Sequence, residues 1–159
     1  MQHRRMSRAF VKESDGADGE EPVELQVSPH RNLVTPEGHA LIEAAVERLR
    51  AELSAARSAD DRAGIKRIQR DLRYWTLRLR TAELVKPAPA GAKVRFGSRV
   101  SLEHADGNAV EFRIVGEDEA DPANGKISYV SPIAKLLIGA SVGDAITLPD
   151  GTAEIGAIR

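Results

Sequence analysis

The sequence predicts an α+β protein, an antiparallel helical hairpin followed by a small antiparallel-sheet domain with one helix. Three observations carry this. Apolar residues recur in alternating steps of four and three through two stretches joined by a short polar interval. A Pro/Ala segment, 86–92, then interrupts the chain. Beyond it the apolar period drops to two, the period of a strand.

Composition bounds the rest. Hydrophobic residues make up 42% of the 159, enough for a core, and charged residues 30%, which suits much solvated helix surface. With 23 Lys and Arg against 24 Asp and Glu, net charge is -1, so a uniformly basic nucleic-acid binder is disfavoured. The absence of Cys excludes disulfides, thiolate catalysis and Cys-ligated zinc, and fits a reducing compartment. No apolar run reaches membrane-spanning length, and no signal-peptide core follows the Arg-rich start. A soluble, cytoplasmic protein with no membrane partner is expected.

Residues 1–32 read as a disordered acidic tail. Between Glu13 and Glu24 lie six acids and almost nothing apolar, too little burial to offset ordering entropy. Met6-Ser7-Arg8-Ala9-Phe10 is either a frayed end or a small docking element.

The hairpin is assigned to 33–85. Thr35 suits a helix N-cap, Pro36 the first helical position and Glu37 the positive helix end. Val34 is placed to pack back onto the first turns. Ile42, Val46, Leu49, Leu53 and Ala56 form one seam. Ile65, Ile68, Leu72, Trp75, Leu79 and Ala82 form the other. Two narrow seams of similar length bury each other, and arms of about 22 residues reach roughly 33 Å. The polar interval 57–61 turns the chain, with Ser58 or Asp60 as a cap. Gly64, near the start of the second arm, predicts a loose first turn.

After the 86–92 linker, residues 93–159 read as the sheet domain. Val94-Arg95-Phe96 and Val100-Ser101-Leu102 read as strand. Ala105-Asp106-Gly107-Asn108 reads as a hairpin turn, and Val110, Phe112 and Ile114 alternate with Glu111 and Arg113. Glu117 to Gly125 is a polar loop, and 127–130 a short strand. Ser131-Pro132 opens a helix with Ile133, Leu136 and Leu137 as its core residues and Gly139 as its end. Two last strands flank Pro149-Asp150-Gly151.

No self-contained enzyme site is visible. His3, His30, His39 and His104 have no metal-ligand spacing, and no nucleophile elbow, phosphate loop or dinucleotide fingerprint is present. A non-enzyme is expected. Three charged constellations remain. Arg62, Lys66, Arg67, Arg70, Arg73, Arg78 and Arg80 flank the second seam, outside the core. They either form a solvated face paired with Glu43, Glu47 and Glu52, or meet phosphates or an acidic protein groove. Asp60 and Asp61 at the tip either cap a helix or hold Mg²⁺ together with ligands from a partner. Glu117-Asp118-Glu119-Ala120-Asp121 is a solvated loop or a docking element, with a metal loop as a third reading.

Several segments match one known pattern in order. They are Val94-Arg95-Phe96-Gly97-Ser98, Phe112-Arg113-Ile114-Val115-Gly116, Glu119-Ala120-Asp121, Ile127-Ser128-Tyr129-Val130-Ser131-Pro132-Ile133-Ala134, Leu136-Leu137-Ile138-Gly139 and Val142-Gly143-Asp144. With them, residues 93–159 resemble the C-terminal domain of the bacterial GreA/GreB transcription elongation factors. Leu33-Val34-Thr35-Pro36-Glu37-Gly38 and Arg73-Tyr74 are similar to parts of that family's coiled coil. The resemblance implies an FKBP-like fold without implying isomerase activity. It implies docking on RNA polymerase core at the rim of the secondary channel, through Asp121, Ser131, Pro132 and Ile133. It further implies a coiled coil pointing into the channel, whose acidic tip helps the polymerase hold a second Mg²⁺ and cleave backtracked RNA.

Arg67, Arg70 and Arg73 are then expected to face acidic channel walls or transcript RNA. Asp60 and Asp61 are the only candidates for metal work, with Mg²⁺ shared with the polymerase and no cofactor of the chain's own. The tip Ala56-Arg57-Ser58-Ala59-Asp60-Asp61-Arg62 departs from the family's Leu-Ser-Glu-Asn-Ala type motif. The arms are shorter by roughly ten residues, or about 14 Å, far beyond a Mg²⁺–oxygen bond of ~2.1 Å. A monomeric elongation regulator without efficient cleavage stimulation is therefore expected. The alternatives are a cleavage-stimulating factor using Asp60 and Asp61, or a binder like the short-armed regulator of nucleoside diphosphate kinase.

Overall fold

The computed structural model describes residues 20–87 and 89–159. The 6–10 element and the first acids of the tail lie outside the described residues, as does Ala88 of the linker. The chain order is β1 (Leu33–Val34), α1 (Pro36–Ser58), α2 (Arg62–Thr81), β2 (Glu83–Leu84), β3 (Arg99–His104), β4 (Ala109–Val115), β5 (Lys126–Ser128), α3 (Pro132–Leu137), β6 (Ala145–Leu148) and β7 (Gly151–Ile158).

The hairpin starts as its sequence dictates. Thr35 adopts an extended backbone and its hydroxyl accepts from Gly38 N at 2.9 Å, with Pro36 leading the helix. Ile42, Val46, Leu49, Leu53 and Ala56 are all buried. On α2, Ile68 is buried, and Ile65, Leu72 and Trp75 pack around it against Leu49, Leu53 and Ala56. At the tip Asp60 has a φ of 51°. Asp61 caps α2, its Oδ1 accepting from Gly64 N at 2.9 Å. Gly64 is no loose point: a Cβ there would lie 2.0 Å from Asp61 Oδ2, so the cap needs glycine at that position. The base is closed by an element with no counterpart in the apolar pattern. β1 and β2 pair in parallel, Leu33 opposite Glu83 and Val34 opposite Leu84.

The second domain is a five-stranded sheet in the order β5-β4-β3-β7-β6. Its core holds Val100, Leu102, Ile114 and Ile155, with Ala134 and Leu137 of α3 packed in. The strands pair antiparallel except β4 with β5, which run parallel. Parallel neighbours need a crossover, and the acid-rich segment supplies it through short 3-10 turns at Glu117–Glu119 and Pro122–Asn124. Val94–Phe96 is not a strand. Only Lys93 bridges, to Ser141, while Val94 exchanges backbone hydrogen bonds with Gly139 and Ala140. The turn at Gly97 and Ser98 follows too closely for a ladder to extend.

Arg78 overturns the expectation that every α2 cation lies outside the core. Its side chain is 2% exposed. Arg78 Nε meets Asp118 Oδ2 at 2.5 Å, and Tyr74 Oη donates to Asp118 Oδ1 at 2.6 Å. Glu117 lies 3.9 Å away. Beside this pair, buried Glu119 accepts from the Thr35 hydroxyl at 2.5 Å. That approach is open because residue 38 is glycine; a Cβ there would sit 2.6 Å from Glu119 Oε2. Arg113 joins from β4, reaching Glu37 at 3.0 Å. Asp118 and Glu119 thus fasten the hairpin to the sheet domain rather than forming a solvated loop.

Candidate functional site

Two surfaces carry the residues singled out by sequence. The first runs along the hairpin. Its tip holds Asp60 and Asp61, both exposed. Asp61 is engaged in capping, and among the described residues no group of three or more His, Asp or Glu could hold a metal ion. Mg²⁺ demands near-octahedral oxygen coordination, which one engaged and one adjacent carboxylate do not provide.

On α2, Arg67 is exposed, Arg70 pairs with Asp71 at 2.6 Å, and Arg73 holds Glu24 through two hydrogen bonds. Lys66 meets Glu21 at 2.9 Å. These partners are not the α1 glutamates. Glu47 and Glu52 instead pair within α1, with Arg50 and Arg48. Residues 20–32, placed with the tail in the sequence reading, have neither helix nor strand, yet they lie along α2. Besides Glu21 and Glu24, Asn32 is buried and its Nδ2 donates to Arg78 O at 2.7 Å. The hydrogen bond from Arg73 holds the Glu24 carboxyl below its ordinary range. Opposite charge in the two segments was the available signal, but an irregular polar segment has no period to reveal its register.

The second surface is the start of α3. Ser131 is the N-cap, its Oγ accepting from Ala134 N at 3.3 Å. Pro132 is exposed and Ile133 half-buried against the core. Asp121 stands apart on the crossover, exposed, with its carboxylate on Asn124 Nδ2 at 2.6 Å and its backbone bridged to Lys126. Sequence placed Leu136 in the core with Leu137. Leu137 is fully buried, but Leu136 is 50% exposed, as are Ile138 at 42% and Val142 at 56%. A six-residue helix buries one narrow side, so adjacent leucines part. Ile138 and Val142, just past the end of α3, were not flagged by periodicity; Leu136, within α3, was flagged but as core.

Among the described residues, no helix is long and apolar enough to cross a membrane. Against known proteins, the family profile described as transcription elongation factor GreA/GreB, C-terminal, matches residues 88–158. A GreB from Neisseria meningitidis serogroup A is 42% identical over 95 residues, covering 57% of this chain and 58% of that protein. A GreA from Anaeromyxobacter sp. (strain K) is 46% identical over 84 residues, 51% of this chain and 49% of that one. The chain thus spans about half the length of these relatives. A GreB from Xanthomonas axonopodis pv. citri matches further, 38% identical over 132 residues, with 70% of this chain and 79% of that protein covered. That alignment is too long to lie within the sheet domain alone. The chain belongs to the GreA/GreB family of transcription elongation factors.

Proposed function

We propose that this chain is a polymerase-binding elongation regulator and not itself an enzyme. It docks on RNA polymerase core at the secondary-channel rim through Asp121, Ser131, Pro132 and Ile133, aided by exposed Leu136 and Ile138. The hairpin projects into or over the channel. The observation that carries the reading is the tip. α1 has 23 residues and α2 has 20, about 34 and 30 Å long, and Asp61 serves the fold as a cap. A short probe with one uncommitted carboxylate steers the polymerase without delivering a metal ligand to distant chemistry.

A cleavage-stimulating role through Asp60 and Asp61 is the second reading, favoured by the exposure of both residues at the hairpin's end. Retention of core polymerase by the immobilised chain at low salt tests docking; its absence removes both readings. Backtracked complexes then separate the two. The first expects no RNA shortening together with competition against a longer factor. Strong shortening that disappears in Asp60→Ala with Asp61→Ala establishes the second.

A further inference from the structure

We propose that the cavity between the hairpin's base and the sheet domain binds a small phosphate-rich anion. This goes beyond the polymerase reading and does not depend on it. The cavity has a volume of about 460 Å³, within the range of small-molecule sites. Its walls come from the start of α1, the linker, the 95–99 turn, β4 and the chain's last residue. Five cationic side chains line it, Lys86, Arg95, Arg99, Arg113 and Arg159, against one acidic side chain, Glu37.

The carboxylates nearby do not match that charge. Glu37 is committed to Arg113. Glu111 is divided between Arg99 at 3.6 Å and Arg159 at 3.5 Å. Glu119 lies 4.0 Å from Arg113 and is shared with Lys126. Arg95 donates to the Pro89 carbonyl at 3.2 Å. Lys86 has no ion-pair partner among the described residues. The Nε of Arg113 is buried without an acceptor, and a buried guanidinium N–H left unpaired is costly.

The geometry selects the ligand class. Guanidinium forks match phosphate oxygens two at a time. Cations spread over several walls favour a chain of phosphates over a single one. A cation is disfavoured by the five positive groups. Phe96 and Pro36 add apolar wall on which a flat group can rest, so inorganic triphosphate and a nucleoside triphosphate share the necessary chemistry.

Isothermal titration of the full chain at about 150 mM salt tests this with orthophosphate, inorganic triphosphate and ATP. Triphosphate is expected to bind at least tenfold more tightly than orthophosphate. Arg95→Gln with Arg159→Gln, both exposed positions that leave the core intact, is expected to weaken triphosphate binding at least tenfold. Arg48→Gln on α1, paired with Glu52 and away from the cavity, is expected to leave it unchanged. ATP binding more tightly than triphosphate assigns a nucleotide, and equal affinities assign the phosphate chain alone; both support the site. No binding at millimolar triphosphate, equal affinity for orthophosphate, or an equal loss in Arg48→Gln overturns it.

Discussion

Asp118→Ala should be among the most damaging single substitutions outside the apolar core. The carboxylate is 8% exposed and faces a guanidinium 2% exposed, at 2.5 Å. It also accepts the Tyr74 hydroxyl. Removing it strands Arg78 with only Glu117, 3.9 Å away. Breaking one side of a buried pair costs about 3–5 kcal/mol, a large part of the 5–15 kcal/mol typical of a whole domain. Asp118→Asn keeps an acceptor for Tyr74 and should cost less. Arg78→Met with Asp118→Leu removes both charges and should recover most of the loss, because a packed apolar pair escapes the desolvation penalty. Urea denaturation read at Trp75, the chain's one tryptophan, checks all three against far-UV circular dichroism. An Asp118→Ala loss below about 1 kcal/mol, or a double variant no better than the single, would refute the reasoning.

Gly64→Ala, ordinarily a gain of about 1 kcal/mol in a helix, should lower the urea midpoint because the new Cβ meets Asp61; an Asp61→Ala background should reverse that sign. Asp61→Ala alone should cost about 1 kcal/mol as a lost cap, whereas Asp60→Gly, at a positive φ, should leave stability unchanged or raised. Burial first, and then the hydrogen bond to Asp118, pushes the Tyr74 phenol up to about 12. Its folded value exceeds its unfolded one, so its contribution is complete below about pH 10 and is lost as pH rises toward 12. Ultraviolet phenolate titration with stability curves from pH 9 to 12 checks this, and Tyr74→Phe should flatten the dependence. The Glu24 carboxyl, lowered chiefly by its hydrogen bond from Arg73, should titrate by NMR below an unstructured glutamate, and Arg73→Gln should return it to the ordinary range. The sign is the reverse of the tyrosine's: the contact persists above the ordinary carboxylate range and is lost as pH falls through the depressed value.

Much of the fold was legible because it rests on periodicity. The α1 seam, the Thr35-Pro36 start and the Asp106-Gly107 turn each follow from local rules that tertiary structure had no reason to override. What stayed hidden depends on pairing at long range. Nothing near Arg78 in sequence distinguishes it from Arg80, since its partner lies 40 residues on. Glu117-Asp118-Glu119 looks like solvated loop until Arg78, Tyr74 and Thr35 are brought to it. β1 and β2 are two residues each, too short to show alternation. For the candidate site, the tip aspartates and the Ser131-Pro132 helix start were visible as local motifs. Residues 20–32 along α2 and the exposed side of α3 required the folded chain.

The two-stranded ribbon at the hairpin's base has a mechanical meaning. By tying the entry of α1 to the exit of α2, it prevents the helices from splaying like an open pair of tongs. The buried Arg78 pair then welds that closed base to the sheet. The hairpin is thus joined to the sheet by side-chain contacts to the crossover and to β4, and not by the Pro/Ala linker alone.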